Sequence, residues 1–131
     1  MGQVSAILDE KGREVLRIGG AAAALEAAKL MVERNVGSLL VMEDDETVGI
    51  VTERDYLRRV VAEELDGSKT PVREIMSAPL IVVTPQTSVD ECMAVMTNRR
   101  IRHLPVAEGG AVAGIVSIGD VVKFQAREQT F

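Results

Sequence analysis

Aromatic residues, cysteine and histidine are scarce in this chain of 131 residues. Aromatics make up 2% of it and tryptophan is absent, so a core has to be built from aliphatic side chains. Their scarcity also argues against a surface that stacks the bases of single-stranded nucleic acid. One cysteine excludes an intramolecular disulfide framework, and with the one histidine it falls short of a zinc site.

Excess positive charge and long apolar runs are missing as well. The net charge is −5 and the pI is near 4.9, whereas a phosphate-backbone footprint needs clustered Lys and Arg. No apolar run reaches the length of a membrane span, and the first residues lack the pattern of a signal peptide. We therefore expect a cytoplasmic protein whose partners are neither a membrane nor a nucleic acid.

The chain does contain an internal duplication. The segment G-I-V-T-E-R-D at residues 49–55 returns as G-I-V-S-I-G-D at residues 114–120, an offset of 65 positions. The same offset places Glu26 on Glu91 and Met31 on Met96. A lead-in, V-S-A-I-L at residues 4–8, is echoed by V-R-E-I-M at residues 72–76. We divide the chain into a first repeat at 1–66 and a second at 67–131, with a linker at 66–71.

The repeated motif predicts a strand that turns directly into a helix. Ser and Thr are preferred N-cap residues, and an acidic residue three positions later favours both the capping box and the positive end of the helix. Thr52 with Asp55, and Ser117 with Asp120, have this spacing. For one copy alone, a helix cap without any ligand explains the pattern, but the repetition favours a further role.

Hydrophobic periodicity and turn residues predict the remaining elements. We expect helices at residues 4–9, 21–35, 53–64, 88–99 and 120–127. We expect strands at 14–18, 36–42, 47–52, 80–83, 101–106 and 112–117, with Pro105 breaking the fifth of them at an edge or irregular position. Cys92 falls on a helix, where a free cysteine is usually a small buried hydrophobe.

Each repeat is thus β-α-β-β-α, and the fold class is α/β of the α+β kind. One repeat is too small to bury its own apolar face, so we expect the two to pack about a pseudo-two-fold axis. The paired motifs, each preceded by an apolar strand, resemble tandem cystathionine-β-synthase (CBS) domains, whose pairs form Bateman modules. The resemblance covers nearly the whole chain and extends to stand-alone CBS-pair proteins of bacterial signal transduction.

This resemblance implies an adenosyl ligand (AMP, ADP, ATP, NAD or S-adenosylmethionine) in the cleft between the repeats. In the family, the motif aspartate accepts hydrogen bonds from the two ribose hydroxyls, and the motif Ser or Thr lies near ribose and phosphate. Asp55 with Thr52 would then form one half-site, and Asp120 with Ser117 the other. A fixed carboxylate and an adjacent helix N-terminus suit a sugar phosphate.

The resemblance further implies that each half-site is completed by the opposite repeat. The Asp55 half-site would use Val83, Thr84, Arg102 and His103. The Asp120 half-site would use Ile18, Gly19, Gly37 and Ser38, which offer fewer polar side chains, so we expect unequal affinities. Taken singly, Arg102 also fits a surface arginine and His103 a half-buried histidine.

No catalytic motif accompanies these residues, and an aspartate stabilised as an anion at a cap is a poor general base. We expect a regulatory module, not an enzyme, that senses the energy or redox state. The alternative is a ligand-free dimer or adaptor that regulates a partner protein. The resemblance implies a homodimer formed through the helices around residues 56–61 and 121–124.

Overall fold

The structure, a computed structural model, describes residues 2–128 and divides them into two compact units. Unit A comprises Leu16–Leu80, and unit B comprises residues 2–15 together with 81–128. Each unit therefore contains most of one sequence repeat and the lead-in of the other. The repeat boundaries at residues 66 and 67 follow the duplication in sequence and stay a prediction.

Unit A contains a three-stranded sheet with helical elements around it. Its elements are β1 (Arg17–Gly19), α2 (Ala24–Arg34), β2 (Ser38–Glu43), β3 (Glu46–Thr52), α3 (Glu53–Tyr56), a π-helical turn (Leu57–Val61) and a 3-10 turn (Val72–Glu74). The strand order is β1-β2-β3, with β1 parallel and β3 antiparallel to β2. Its buried core is aliphatic, with contributions from Met31, Leu39, Val51, Val72 and Ile75.

Unit B contains a two-stranded antiparallel sheet and three helices. Its elements are α1 (Val4–Lys11), α4 (Val89–Arg99), β4 (His103–Glu108), β5 (Ala111–Ser117) and α5 (Ile118–Glu128). Val4, Ile7 and Leu8 of α1 join the core formed by α4, β4, β5 and α5. The lead-in is thus part of the apolar core of this unit and not a loose extension.

The predicted helices and hairpins are present in both units, with ends shifted by a few residues. The helix predicted at 21–35 runs from Ala24 to Arg34, and Asn35 closes it in the left-handed conformation, φ 54°. The helix predicted at 53–64 is wrong beyond Val61 and includes five residues of π-helix from Leu57. The first strand begins at Arg17, three residues later than the prediction at residue 14.

The strand predicted at residues 80–83 is wrong, and Pro105 gives the physical reason. In unit A, the Leu40 N–H donates to Leu16 O over 3.0 Å and extends the pairing of β1 with β2. Pro105 is the equivalent of Leu40 at the offset of 65 and has no N–H to donate. Only a single bridge remains, between Val83 and Val106.

The expected break at Pro105 is wrong, but the expected edge position is confirmed, because β4 is one of the two strands of its sheet. β4 continues from His103 to Glu108, with Pro105 paired to Ile115 of β5. The proline is tolerated because its ring nitrogen faces the side of β4 on which residues 80–83 form no strand, while its carbonyl accepts from the Val83 N–H over 3.1 Å.

The expectation for Cys92 is confirmed. Its side chain is fully buried in the core of unit B, and this burial raises the pKa of the thiol to about 11. Between residues 2 and 128, no helix combines the length and the apolar character that crossing a membrane requires.

Candidate functional site

Thr52 and Asp55 form a complete capping box where β3 meets α3. The Asp55 N–H donates to Thr52 Oγ1 over 3.1 Å, and the Thr52 N–H donates back to Asp55 Oδ2 over 3.0 Å. The N–H of Glu53 donates to the Gly37 carbonyl over 3.1 Å. The predicted cap is confirmed, and it fixes both the backbone turn and the direction of the Asp55 carboxylate.

Asp55 is the charged member of the three polar or charged residues that are buried in the described chain, with 8% of its surface exposed. A third residue, Ser77, donates its hydroxyl to Asp55 Oδ1 over 3.1 Å. Ser77 is held there by a backbone bridge to Ile50 of β3, with N···O distances of 2.8 and 3.0 Å. The carboxylate thus accepts one hydrogen bond on each oxygen.

Ser117 and Asp120 repeat this geometry at the junction of β5 and α5. The Asp120 N–H donates to Ser117 Oγ over 3.1 Å, and the Ser117 N–H donates to Asp120 Oδ2 over 2.8 Å. The Ile118 N–H donates to the Arg102 carbonyl over 2.8 Å, as Glu53 does to Gly37 in unit A. The two motif aspartates, Asp55 and Asp120, therefore have the same backbone setting.

Their side-chain partners differ. Lys11, the last residue of α1, donates its ammonium to Asp120 Oδ2 over 2.6 Å and to the Ile115 carbonyl over 2.8 Å. Burial raises the pKa of Asp120, but the hydrogen bonds from Lys11 and Ser117 and the charge of Lys11 outweigh it. As a result, the pKa of Asp120 lies below its ordinary value. A neutral hydroxyl faces Asp55, whereas a cation faces Asp120.

Sequence reasoning missed both of these partners. A signal was present, because Ser77 and Lys11 follow the two matching lead-ins by one and three residues. The lead-in helix α1 continues to Lys11, whereas the second lead-in is only a 3-10 turn that ends at Glu74. The longer helix is what delivers an ammonium group to Asp120.

The remaining predicted residues are distributed between the units. In unit A, Ser38 is buried and pairs with Thr52 across β2 and β3, next to Gly37, while Ile18 pairs with Val41. Gly19 closes β1 and is exposed.

In unit B, His103 pairs with Ser117 across β4 and β5, so it is the counterpart of Ser38. Arg102 is exposed, and Val83 is buried against β4. Thr84 is exposed, and its hydroxyl lies 3.2 Å from that of Thr87. In each unit, the capping residue of the motif thus pairs with a predicted residue of the same repeat, Thr52 with Ser38 and Ser117 with His103.

Comparison with known proteins identifies the repeats. The sequence model of the CBS domain matches residues 5–62 and, a second time, residues 72–127. The chain belongs to the CBS-domain family. Its two CBS domains lie in tandem, as the resemblance implies.

Two named relatives support the assignment. The CBS domain-containing protein YhcV of Bacillus subtilis is 32% identical over 97% of this chain and 90% of its own. The mitochondrial CBS domain-containing protein CBSX3 of Arabidopsis thaliana is 44% identical over 79% of this chain, which spans only 52% of that relative.

A solved structure gives the same result for the fold. A candidate signal-transduction protein with CBS domains from Burkholderia ambifaria is 46% identical and superposes with a TM-score of 0.93. The match covers 98% of this chain and 97% of that one. The two small sheets and five α-helices described above are therefore those of a CBS pair.

Proposed function

We propose that this CBS pair is a regulatory module of signal transduction that binds an adenosyl ligand at its motif aspartates, in the cleft between the repeats. The observation that carries the proposal is the reciprocal cap at Asp55 and Asp120. Each cap fixes a carboxylate in one orientation while leaving acceptor positions on it. A vicinal diol, such as that of ribose, donates two nearly parallel O–H groups and fits such a carboxylate.

The ligand class is supported by a distant member of the fold. The CBS domain pair of protein MJ0100 is solved in complex with 5-methylthioadenosine and S-adenosyl-L-methionine. At 24% identity and a TM-score of 0.85 it shares the fold with this chain. AMP, ADP, ATP, NAD and S-adenosylmethionine all contain the ribose diol, so all five belong to the proposal, together with a role in sensing energy or redox state.

The residues proposed to complete each half-site are those that the family pattern assigns. Val83, Thr84, Arg102 and His103 would serve the Asp55 half-site. Ile18, Gly19, Gly37 and Ser38 would serve the Asp120 half-site. The first set contains the hydroxyl of Thr84, the imidazole of His103 and the guanidinium of Arg102. The Asp55 half-site is therefore proposed as the tighter one for phosphorylated ligands.

A thermal-shift screen tests the proposal. A ligand at 100 times its dissociation constant adds about 2.7 kcal/mol to the free energy of unfolding. The expected result is a rise in Tm with at least one of the five adenosyl compounds, and a smaller rise with the 2′,3′-dideoxy analogue of that compound as the control. An unchanged Tm with all five would overturn the proposal.

Exposed aliphatic side chains favour the second candidate, a homodimer or adaptor. Leu57, Val61 and Leu65 follow one another at intervals of four residues and are 61%, 55% and 48% exposed. Val122 on α5, the equivalent of Leu57 at the offset of 65, is 53% exposed. Large exposed apolar side chains such as these are typical of protein contacts.

We propose that these helices form a homodimer face, with a regulated protein as a further partner. A related CBS-CP12 protein of bloom-forming cyanobacteria, 33% identical, is hexameric. Sedimentation of the wild type and of Leu57→Glu tests the dimer, because a charge in an apolar contact should yield monomers. Binding without catalysis and a cytoplasmic location complete the proposal.

A further inference from the structure

The partner of Asp120 distinguishes the two half-sites by charge. Lys11 contacts Asp120 from α1, and the two side chains are 36% and 23% exposed. A lysine stem is long and flexible, and the accessible end of such a pair can rotate away without unfolding α1. Lys11 therefore covers part of the Asp120 carboxylate and can be displaced from it.

The acceptor positions on each carboxylate show which hydrogen bonds Lys11 blocks. A carboxylate oxygen offers two lone-pair positions. On Asp55, Thr52 N–H uses one position of Oδ2 and the Ser77 hydroxyl uses one of Oδ1, which leaves one on each oxygen. On Asp120, the Ser117 N–H and the Lys11 ammonium both use Oδ2. A diol that donates to both oxygens can bind Asp55 directly, but it can bind Asp120 only after Lys11 moves.

A displaced Lys11 needs another anion. When the diol takes its place, the ammonium loses a charge-assisted bond at 2.6 Å. A ligand with a phosphate supplies a replacement acceptor close to the ribose. Uncharged 5-methylthioadenosine supplies none, and S-adenosylmethionine places a positive sulfonium next to the ribose, with its carboxylate several bonds farther out.

The surroundings of Lys11 reinforce this preference. A cavity of about 190 Å³ lies between α1 and α5 beside the pair. Its charged lining consists of Lys11, Lys123 and Arg127 against Glu10 and Asp120. Arg127 pairs with Glu10. The three cations of this lining exceed its two carboxylates, and a neutral ribose on Asp120 leaves that balance unchanged, so the local field favours an anionic ligand.

We propose that Lys11 makes the Asp120 half-site selective for adenosyl ligands that carry a phosphate, and excludes 5-methylthioadenosine and S-adenosylmethionine from it. The inference rests on the proposed function. The ligand preference of the Asp120 half-site is then determined by Lys11, which lies outside the repeated motif.

The test isolates the Asp120 half-site and changes the charge at residue 11. Calorimetry compares AMP with S-adenosylmethionine on Asp55→Asn and on Asp55→Asn combined with Lys11→Met, which keeps most of the stem. Asp55→Asn keeps an oxygen for the Thr52 N–H and removes the second acceptor. Lys29→Met, an exposed lysine on α2, is the matched control on the same background.

With Lys11 present, AMP is expected to bind about tenfold or more tightly than S-adenosylmethionine, the size of one lost charge-assisted bond. Lys11→Met is expected to remove or invert that ratio, and Lys29→Met to leave it unchanged. An identical ratio with and without Lys11, or no second site for AMP on Asp55→Asn, would overturn the inference while binding at Asp55 still supports the proposed function. Failure of the wild type to bind any adenosyl compound would overturn both.

Discussion

Gly114 lies directly against the side chain of Leu8. A Cβ added to Gly114 would come within 2.8 Å of Leu8 Cδ2, closer than real Cβ contacts allow. The equivalent Gly49 faces Met76 in the same way, with the sulfur at 2.7 Å and the Ser77 carbonyl oxygen at 2.8 Å. The motif glycine in each repeat is therefore the position where a lead-in packs onto the strand before the capped aspartate.

Alanine at these glycines is expected to destabilise the protein by about 1–3 kcal/mol, because each lead-in would have to move. Gly49→Ala should cost more than Gly114→Ala, since the Ser77 carbonyl is backbone and Leu8 Cδ2 is the end of a side chain. Gly19→Ala is the control, because nothing lies within 4 Å of its added Cβ. Urea denaturation measures all three, and equal midpoints would contradict the packing described here.

Serine is expected to stabilise the N-caps of both equivalent helices, α2 and α4, and alanine to destabilise them. Ser88 caps α4 by accepting the Glu91 N–H over 3.0 Å, whereas Ala23 occupies the same extended conformation before α2 without a side-chain bond. Ser88→Ala should lower the free energy of unfolding by about 1 kcal/mol.

Ala23→Ser should raise the free energy of unfolding by about 0.5–1 kcal/mol, because it creates a capping box with Glu26. The double variant should lie close to the wild type, since the helices are in different units. A destabilised Ala23→Ser would show that the site cannot accept a hydroxyl.

Acid should weaken the contact between α1 and α5. The pKa of Asp120 is lower in the folded protein than its ordinary value, so its stabilising effect is present above about pH 4 and is lost as the pH falls through the folded pKa. Asp120→Asn should therefore lose less stability than the wild type between about pH 5 and about pH 3. Parallel losses in urea midpoints over that range would contradict the assignment.

Cys92 should be unreactive in the folded protein. Burial raises the pKa of its thiol to about 11, so at pH 8 the folded chain contains very little thiolate. An aromatic disulfide reagent should react many times more slowly with the native protein than with the urea-unfolded chain. Reaction at the unfolded rate under native conditions would show that α4 opens readily.

Much of this molecule follows from local sequence rules. The two caps at Asp55 and Asp120 and the helix end near Asn35 depend on residues within a few positions of one another, so the sequence predicts them. The lost strand at residues 80–83 depends on a missing N–H at Pro105, more than twenty residues away. Local periodicity contains no such information.

The partners of the motif aspartates are long-range contacts of the same kind. Lys11 and Asp120 are 109 residues apart, and Ser77 and Asp55 are 22 apart. The lead-ins are recognisable as repeats, but their different lengths as helices become apparent only in the structure. The difference in charge between the half-sites follows from that difference in length.

The most direct measurement of the central claim is a cycle of calorimetric titrations with AMP and 2′,3′-dideoxy-AMP on Asp120→Asn, in which Asp55 is the remaining motif carboxylate, and on Asp120→Asn combined with Asp55→Asn. If Asp55 holds the ribose diol, removing the hydroxyls or the carboxylate should each weaken binding about tenfold or more, and doing both should weaken it little further. Dideoxy-AMP binding Asp120→Asn as tightly as AMP would contradict the claim.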